Sequence, residues 1–297
     1  DTGDDAETVL ITGTTATGVF QASLGPGTSG QVLTSAGAGA LPTWGSSTSV
    51  IRGYISGLTV SNNVADATND IDVAAGVATN SANATSLTLS GALTKQLDAV
   101  WAAGTNAGGR LDAAISDGTW HVFVISNGSA VDIGLSKVLN PTAAANWPVG
   151  YTTYRRITAV VRESGVIAQF SQRGDRVLWK SISTLDQNGA IGTSASSITL
   201  RTFDLVKTDA ILNLLYLNTA AVNQCLYVSS LDQNDETADL GGSARCNVVS
   251  QNTSAYAAGS ATVRTDTSRQ VRVRSDHATN FTRISTVGLI DRRGQDD

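Results

Sequence analysis

The chain contains no methionine, two cysteines, two histidines, 5% aromatic and 15% charged residues. Each shortage excludes something. Two cysteines cannot form a disulfide framework, and with His121 and His277 far apart they match no metal cluster of usual spacing. No apolar run approaches the ~18 residues of a membrane span, so no membrane insertion is expected. A net charge of −5 argues against a general nucleic-acid binder. With no basic, apolar leader and no starting methionine, the expectation is trimming or processing just ahead of residue 1.

What is abundant is small or β-branched: 38 Ala, 36 Thr, 31 Ser and 29 Gly among 297 residues. The 41% apolar fraction is enough for a core, which rules out wholesale disorder. Thr and Val fit pleated, half-buried strands, so the composition disfavours a helical bundle. The length suggests two domains, with room for a tail.

Residues 12–49 carry no charge, and a few apolar anchors interrupt their Gly, Ser, Thr and Ala: Val19, Phe20, Leu24, Val32, Leu33, Leu41 and Trp44. One copy of such a segment buries too little to fold alone. A linker or tail has no use for Phe20 and Trp44, so residues 1–49 read as an extended arm whose anchors pack against other chains.

Residues 50–185 read as a β-rich domain. Strands are expected at 50–60 (a pair broken at Gly57), 71–75, 120–126, 154–162, 166–172 and 176–182. Leu93, Leu97, Val100 and Trp101 fall at helical spacing behind Ser90, which predicts one short helix near 91–103. GTNAGGR after it reads as a loop. Residues 186–297 hold seven further candidates, at 197–206, 210–217, 224–230, 244–250, 255–264, 269–275 and 281–290. Short strands at this spacing predict a C-terminal β-sandwich, jelly-roll-like. The expected fold class is therefore mostly β, an extended arm followed by two β-rich domains.

Reactive chemistry is sparse. Neither histidine has a Ser or Cys in a nucleophile setting and no G-x-S-x-G occurs, so both read as structural or surface residues. Acid pairs of the kind that cleave glycosidic bonds can be nominated: Asp112 with Asp117, Glu163 with Asp175, or Asp232 with Asp235 and Glu236. Most lie in expected loops, where solvated acids are ordinary. TNDIDVAAG (68–76) and DQNDETAD (232–239) group oxygen ligands without EF-hand spacing. No catalytic residue, cofactor or metal site is expected.

Arginine outnumbers lysine 16 to 4, which suits either interface pairing or a sheet face with local ion pairs. Trp147, Tyr151 and Tyr154 cluster in NWPVGYTTY, where they can stack on a receptor sugar, although strand-edge packing accounts for at least two of them. Cys225 and Cys246 fall in expected strands and read by default as two small buried hydrophobes, with bonding left open.

Several stretches resemble one class of protein. GPGTSGQVLTSAGAGALPTWGS (25–46) resembles a recurring element of bacteriophage tail-fibre proteins, a G-T-x-G-Q-V-L-T-S run ending in P-T-W. Residues 54–76 and 93–112, then TWHVFVIS, YRRITAVVR, FSQRGDRVLW and VGLIDRRG, are similar to tail-fibre and related virion proteins; with the first they cover about two thirds of the chain. The resemblance implies a non-enzymatic, homotrimeric structural protein of the virion. Its arm would dock to tail, baseplate or capsid proteins, and its distal β domains would bind a host-surface glycan or protein. A head fibre or capsid-decorating protein is the alternative, and a tailspike-like enzyme degrading polysaccharide the second. Three-fold repetition would strengthen weak glycan sites, and neighbouring copies would cover exposed strand edges.

Overall fold

The computed structural model describes residues 27–28, 31–36, 42–46, 50–182, 184–219, 222–241 and 244–293. The anchors Val19, Phe20, Leu24 and Leu41 lie outside the described residues. The chain divides into two compact units, Asp1–Val50 and Ile51–Asp297.

In the first unit, β1 (Gln31–Thr34) pairs antiparallel with β2 (Thr43–Ser46), which sets Leu33 opposite Trp44. The Trp44 ring lies against Gly27, whose φ of +70° and lack of a side chain permit the approach. Trp44 is half-buried, while Val32 and Leu33 remain exposed.

The second unit is almost entirely strand. Its first part comprises β3 (Ile55–Gly57), β4 (Val60–Asn62), β5 (Asp70–Val73), β6 (Gly76–Thr79), β7 (Ser86–Leu89), β8 (Leu93–Val100) and β9 (Ala107–Arg110). β10 (Gly118–Ser126), β11 (Val131–Ser136), β12 (Thr153–Glu163) and β13 (Val166–Ile167) complete it. An eight-stranded sheet runs β13-β12-β10-β11-β9-β8-β5-β4, and β3-β6-β7 form a separate three-stranded sheet. Trp120, Val122, Val124 and Ile157 of the large sheet share a core with Ala78, Leu87 and Leu89 of the small one. β7 buries one face by period-two alternation in SLTL, whereas β10 and the middle of β12 are buried on both faces.

The second part comprises β14 (Phe170–Arg173), β15 (Arg176–Trp179), β16 (Gln187–Ala190), β17 (Ser196–Thr199), β18 (Asp209–Leu217) and β19 (Gln224–Ser229). β20 (Val248–Ser250), β21 (Tyr256–Arg264), β22 (Gln270–Ser275) and β23 (Phe281–Ile290) end it. One sheet runs β14-β15-β23-β18-β21, with β16 also paired to β23; the other runs β17-β22-β19-β20. Leu212, Leu214, Tyr216 and Ile284 from the first meet Leu226, Val228, Val271 and Val273 from the second. That shared core makes a sandwich. β23 also ties back to the upstream strands, because it pairs with β15, and Leu289 packs in the first core with Trp179 and Phe203.

Two local expectations are corrected. The helix near 91–103 is the strand β8, paired with β5 and β9. Its buried positions are Lys95 and Leu97, so a charged residue occupies the inward phase and hides the alternation. Lys95 is fully buried and its ammonium meets Asp132 at 2.8 Å and the Ala102 carbonyl at 2.7 Å. The expected GTNAGGR loop likewise contains β9. A side chain at Gly108 would strike the Val100 backbone, and one at Gly109 would sit 2.6 Å from Leu135. Glycine here serves close strand packing rather than a turn.

The two parts share a buried ionic tie. Arg156 of β12 donates to both oxygens of Asp291, just after β23, at 2.9 and 3.1 Å. Thr158 donates to the same carboxylate, and Arg156 Nε donates to His121 Nδ1 at 3.0 Å. Burial first, then the Arg156 charge, holds the His121 pKa well below the usual histidine range, so the ring is neutral. Asp291→Ala would strand a buried guanidinium. Urea unfolding is expected to show a loss of about 3–5 kcal/mol, and a loss below about 1 kcal/mol would remove this tie from the account of stability.

Candidate functional site

The arginines resolve mainly into local ion pairs. Arg162 meets Asp117, Arg293 meets Asp175, and Arg264 and Arg292 share Asp209. Several of the acids nominated for glycoside cleavage are thereby engaged. Asp112 accepts from the Ser136 hydroxyl and the Lys137 amide, and Glu163 takes a two-pronged bond from Arg201 at 2.7 and 2.8 Å.

The remaining nominated acids lie in the long connection between β19 and β20. Asp232 pairs with Lys207, Asp235 with Arg274 and Arg272, and Glu236 and Asp239 with Arg245. Arg272 Nη1 also donates to the carbonyls of Ser230, Gln233 and Asn234. Residues 232–237 are exposed. Cys225 and Cys246 are not a pair of separate hydrophobes: they form a disulfide, Cα atoms 5.7 Å apart, that closes the base of this connection. A loop of 21 residues closed this way removes about 3 kcal/mol of unfolded-chain entropy. A connection of such length, with only the isolated bridge between Asp239 and Arg245 among its described residues, is uncommon, and in a compact unit it most often carries a function.

Trp147, Tyr151 and Tyr154 do come together, in a small cluster with Phe123, Ile125 and Trp101. Trp101 meets Tyr151 edge-on at 5.2 Å, and Trp147 meets Tyr154 at 6.1 Å. Tyr151 is buried, and the Trp147 indole donates to its carbonyl; Trp147 and Tyr154 stay half-exposed. Packing thus accounts for Tyr151 fully and for the other two in part.

Sequence reading missed a polar cleft of about 300 Å³ lined by Glu163, Thr184, Leu185, Asp186, Thr199, Leu200, Arg201 and Arg269. β12 ends at Glu163, β16 follows Asp186, β17 precedes Leu200, and Arg269 sits in the β21–β22 turn. Arg201 is fixed on three sides, by Glu163, by the Ser181 carbonyl and by stacking over Trp179 at 4.7 Å. Asp186 accepts from the Arg201 amide at 2.9 Å and from the Thr286 amide and hydroxyl at 2.6 and 2.8 Å. Burial pushes the Asp186 pKa up, against those bonds. Four separate segments converge here, and no local motif announces them.

The acid-rich stretch 66–72 has a structural role. Asn63 and Asp66 side chains cap successive amides of the turn, and Asp72 accepts from Asn63 and Thr94. Among the described residues no three His, Cys, Asp or Glu are placed to hold a metal ion. Asp70 is buried, and that burial, with repulsion from Asp66, Asp98 and Asp72, pushes its pKa up to about 6 from 3.8. Between those values the folded chain keeps a proton that the unfolded chain has released, so stability from this group falls as pH rises through the window. Asp70→Asn is therefore expected to raise stability by about 1–3 kcal/mol near pH 7.5. In thermal melts across pH the advantage should shrink as pH falls below about 6 and vanish near 3.8; an advantage independent of pH would refute the assignment. In comparisons with known proteins, no family model matches the chain, and no curated protein matches it.

Proposed function

We propose that the chain is a structural fibre protein of a bacteriophage particle, attached through residues 1–49 and recognising a host-surface glycan with its distal β region. One observation carries this reading: the exposed connection between β19 and β20, anchored by the Cys225–Cys246 disulfide and by Lys207, Arg245, Arg272 and Arg274. A long polar loop held this firmly on a β-sandwich is pre-organised for recognition, since little ordering remains to be done on binding. The disulfide suits a protein that works outside a reducing cytosol. The likeness of residues 25–46 and of the later stretches to tail-fibre proteins supports the same reading.

The exposed Val32 and Leu33 of the first unit support assembly into a homotrimer, in which copies would cover them. Light scattering on the full chain is expected to give three times 30.6 kDa, and a monomer mass would count against the trimer. On intact particles, antibody to the chain should mark the tail; capsid labelling would favour the head-fibre alternative. Incubation with host polysaccharide should leave polymer size unchanged, and shortening would favour the tailspike-like alternative.

The loop makes its own prediction. Free protein should compete with particles for adsorption to host cells. Reduction of Cys225–Cys246 should weaken that competition at least about tenfold, because the loop must then be ordered on binding. Undiminished competition after complete reduction would detach the loop from recognition.

A further inference from the structure

Most cations of the second unit are engaged by acids or carbonyls, but Arg269 is not. Its guanidinium makes no hydrogen bond or ion pair among the described residues, and its Nε is buried without a partner. It lines the open polar cleft described above. The other guanidinium there, Arg201, is committed to Glu163, the Ser181 carbonyl and the Trp179 ring.

The backbone at Arg269 is unusual as well. Its φ is +65°, in the left-handed region that favours glycine, and it is the only charged residue among the nine non-glycine residues with positive φ in the described chain. The turn that imposes this conformation is closed by Asp266, whose carboxylate accepts from the Ser268 and Gln270 amides at 2.9 and 2.7 Å. Asp266 also exchanges backbone bonds with Arg269 and Gln270. Glycine would fit the position without strain, so the arginine stands against the local backbone preference.

We propose that this cleft binds a saccharide carboxylate, with Arg269 as the anion-binding fork. Glu163 is paired with Arg201, and Asp186 has its oxygens filled by Thr286 and the Arg201 amide, so among the described residues Arg269 is the guanidinium of the cleft whose donors are not already taken. Among the described residues the Glu163 carboxylate is bonded through Arg201 alone and is partly exposed, so it can still accept from sugar hydroxyls, as can the Thr184 and Thr199 oxygens. A planar carboxylate matches the guanidinium geometry bidentately. The inference rests on the glycan-recognition reading and specifies its ligand as an acidic sugar such as a hexuronate.

The test uses trigalacturonate, its methyl ester and a glycerol-phosphate oligomer as probes of the full chain by titration calorimetry and ligand-observed NMR. Trigalacturonate is expected to bind at least about fivefold more tightly than either of the others, since they lack its carboxylates. Arg269→Gly is expected to lose at least about tenfold in affinity while melting at the wild-type temperature or above, because the turn is relieved. That combination separates a ligand role from a structural one. Wild-type affinity in Arg269→Gly, equal binding of acid and ester, tighter binding of the phosphate oligomer, or no binding of trigalacturonate would each overturn the proposal. Competition with particle adsorption is scored in parallel. An unaltered Arg269→Gly competitor would sink the cleft alone, whereas a wild-type chain that never competes would sink the recognition reading itself.

Discussion

The pairing of Arg156 with Asp291 is the constraint on which the second unit depends. Arg156 lies in the long central strand β12, and Asp291 follows the last strand, β23. Both are almost wholly buried, and neither charge is tolerable there without the other. The final strand is consequently held against both β-rich parts. β23 pairs with β15 and β16, lies beside β18 through its whole length, and delivers Leu289 to one core and Ile284 to the other. His121 completes the arrangement because a neutral imidazole can accept from Arg156 Nε, whereas a protonated one would add a second buried cation.

Small side chains let strands approach closely, as at Gly108 and Gly109, and polar ties accompany the apolar contacts inside the cores. Lys95–Asp132, Tyr216 with Ser275, Asp276 and Asn280, and Asp186 with Thr286 are buried or partly buried ties of this kind. Such ties contribute modest net stability but fix register, since a slipped strand would leave each group unmatched. Several arginines serve the same end nearer the surface: Arg162, Arg201, Arg264, Arg292 and Arg293 each link segments remote in sequence.

How much of this was legible in the sequence depended on whether an element obeyed its own period. WHVFVIS, QCLYVS and QVRVRS carry unbroken β-branched or alternating patterns, and all three are strands where expected. β8 was misread because Lys95 occupies a buried position, and β9 because Gly108 and Gly109 serve packing. The fold class survived those errors, since a single strand misread as helix does not alter the balance of the composition. The site was harder to see. Trp147, Tyr151 and Tyr154 stood out because aromatics are scarce and adjacent here, and the structure gives them to a small core. Glu163, Asp186, Arg201 and Arg269 come from four segments and share no motif, so only the register of the folded sheets brings them together.

The cleft also bears on the choice between binding and cleavage. Glycoside hydrolysis needs one carboxyl that can donate a proton to the leaving oxygen and a second that is free to attack or to activate water. Asp186 has the raised pKa that suits a donor, yet both of its oxygens are taken by amides and a hydroxyl. Glu163 would have to break a two-pronged bond to Arg201 before acting as a nucleophile. Arg201 in turn is held by stacking on Trp179, which fixes the guanidinium that Glu163 meets. Groups fixed this firmly present a constant surface of donors and acceptors, which is what selective, reversible binding of a polar ligand requires. The turn from β21 into β22, which crosses from one sheet of the sandwich to the other, serves both features at once, with Arg269 in the cleft and Arg272 and Arg274 clamping the disulfide-anchored loop.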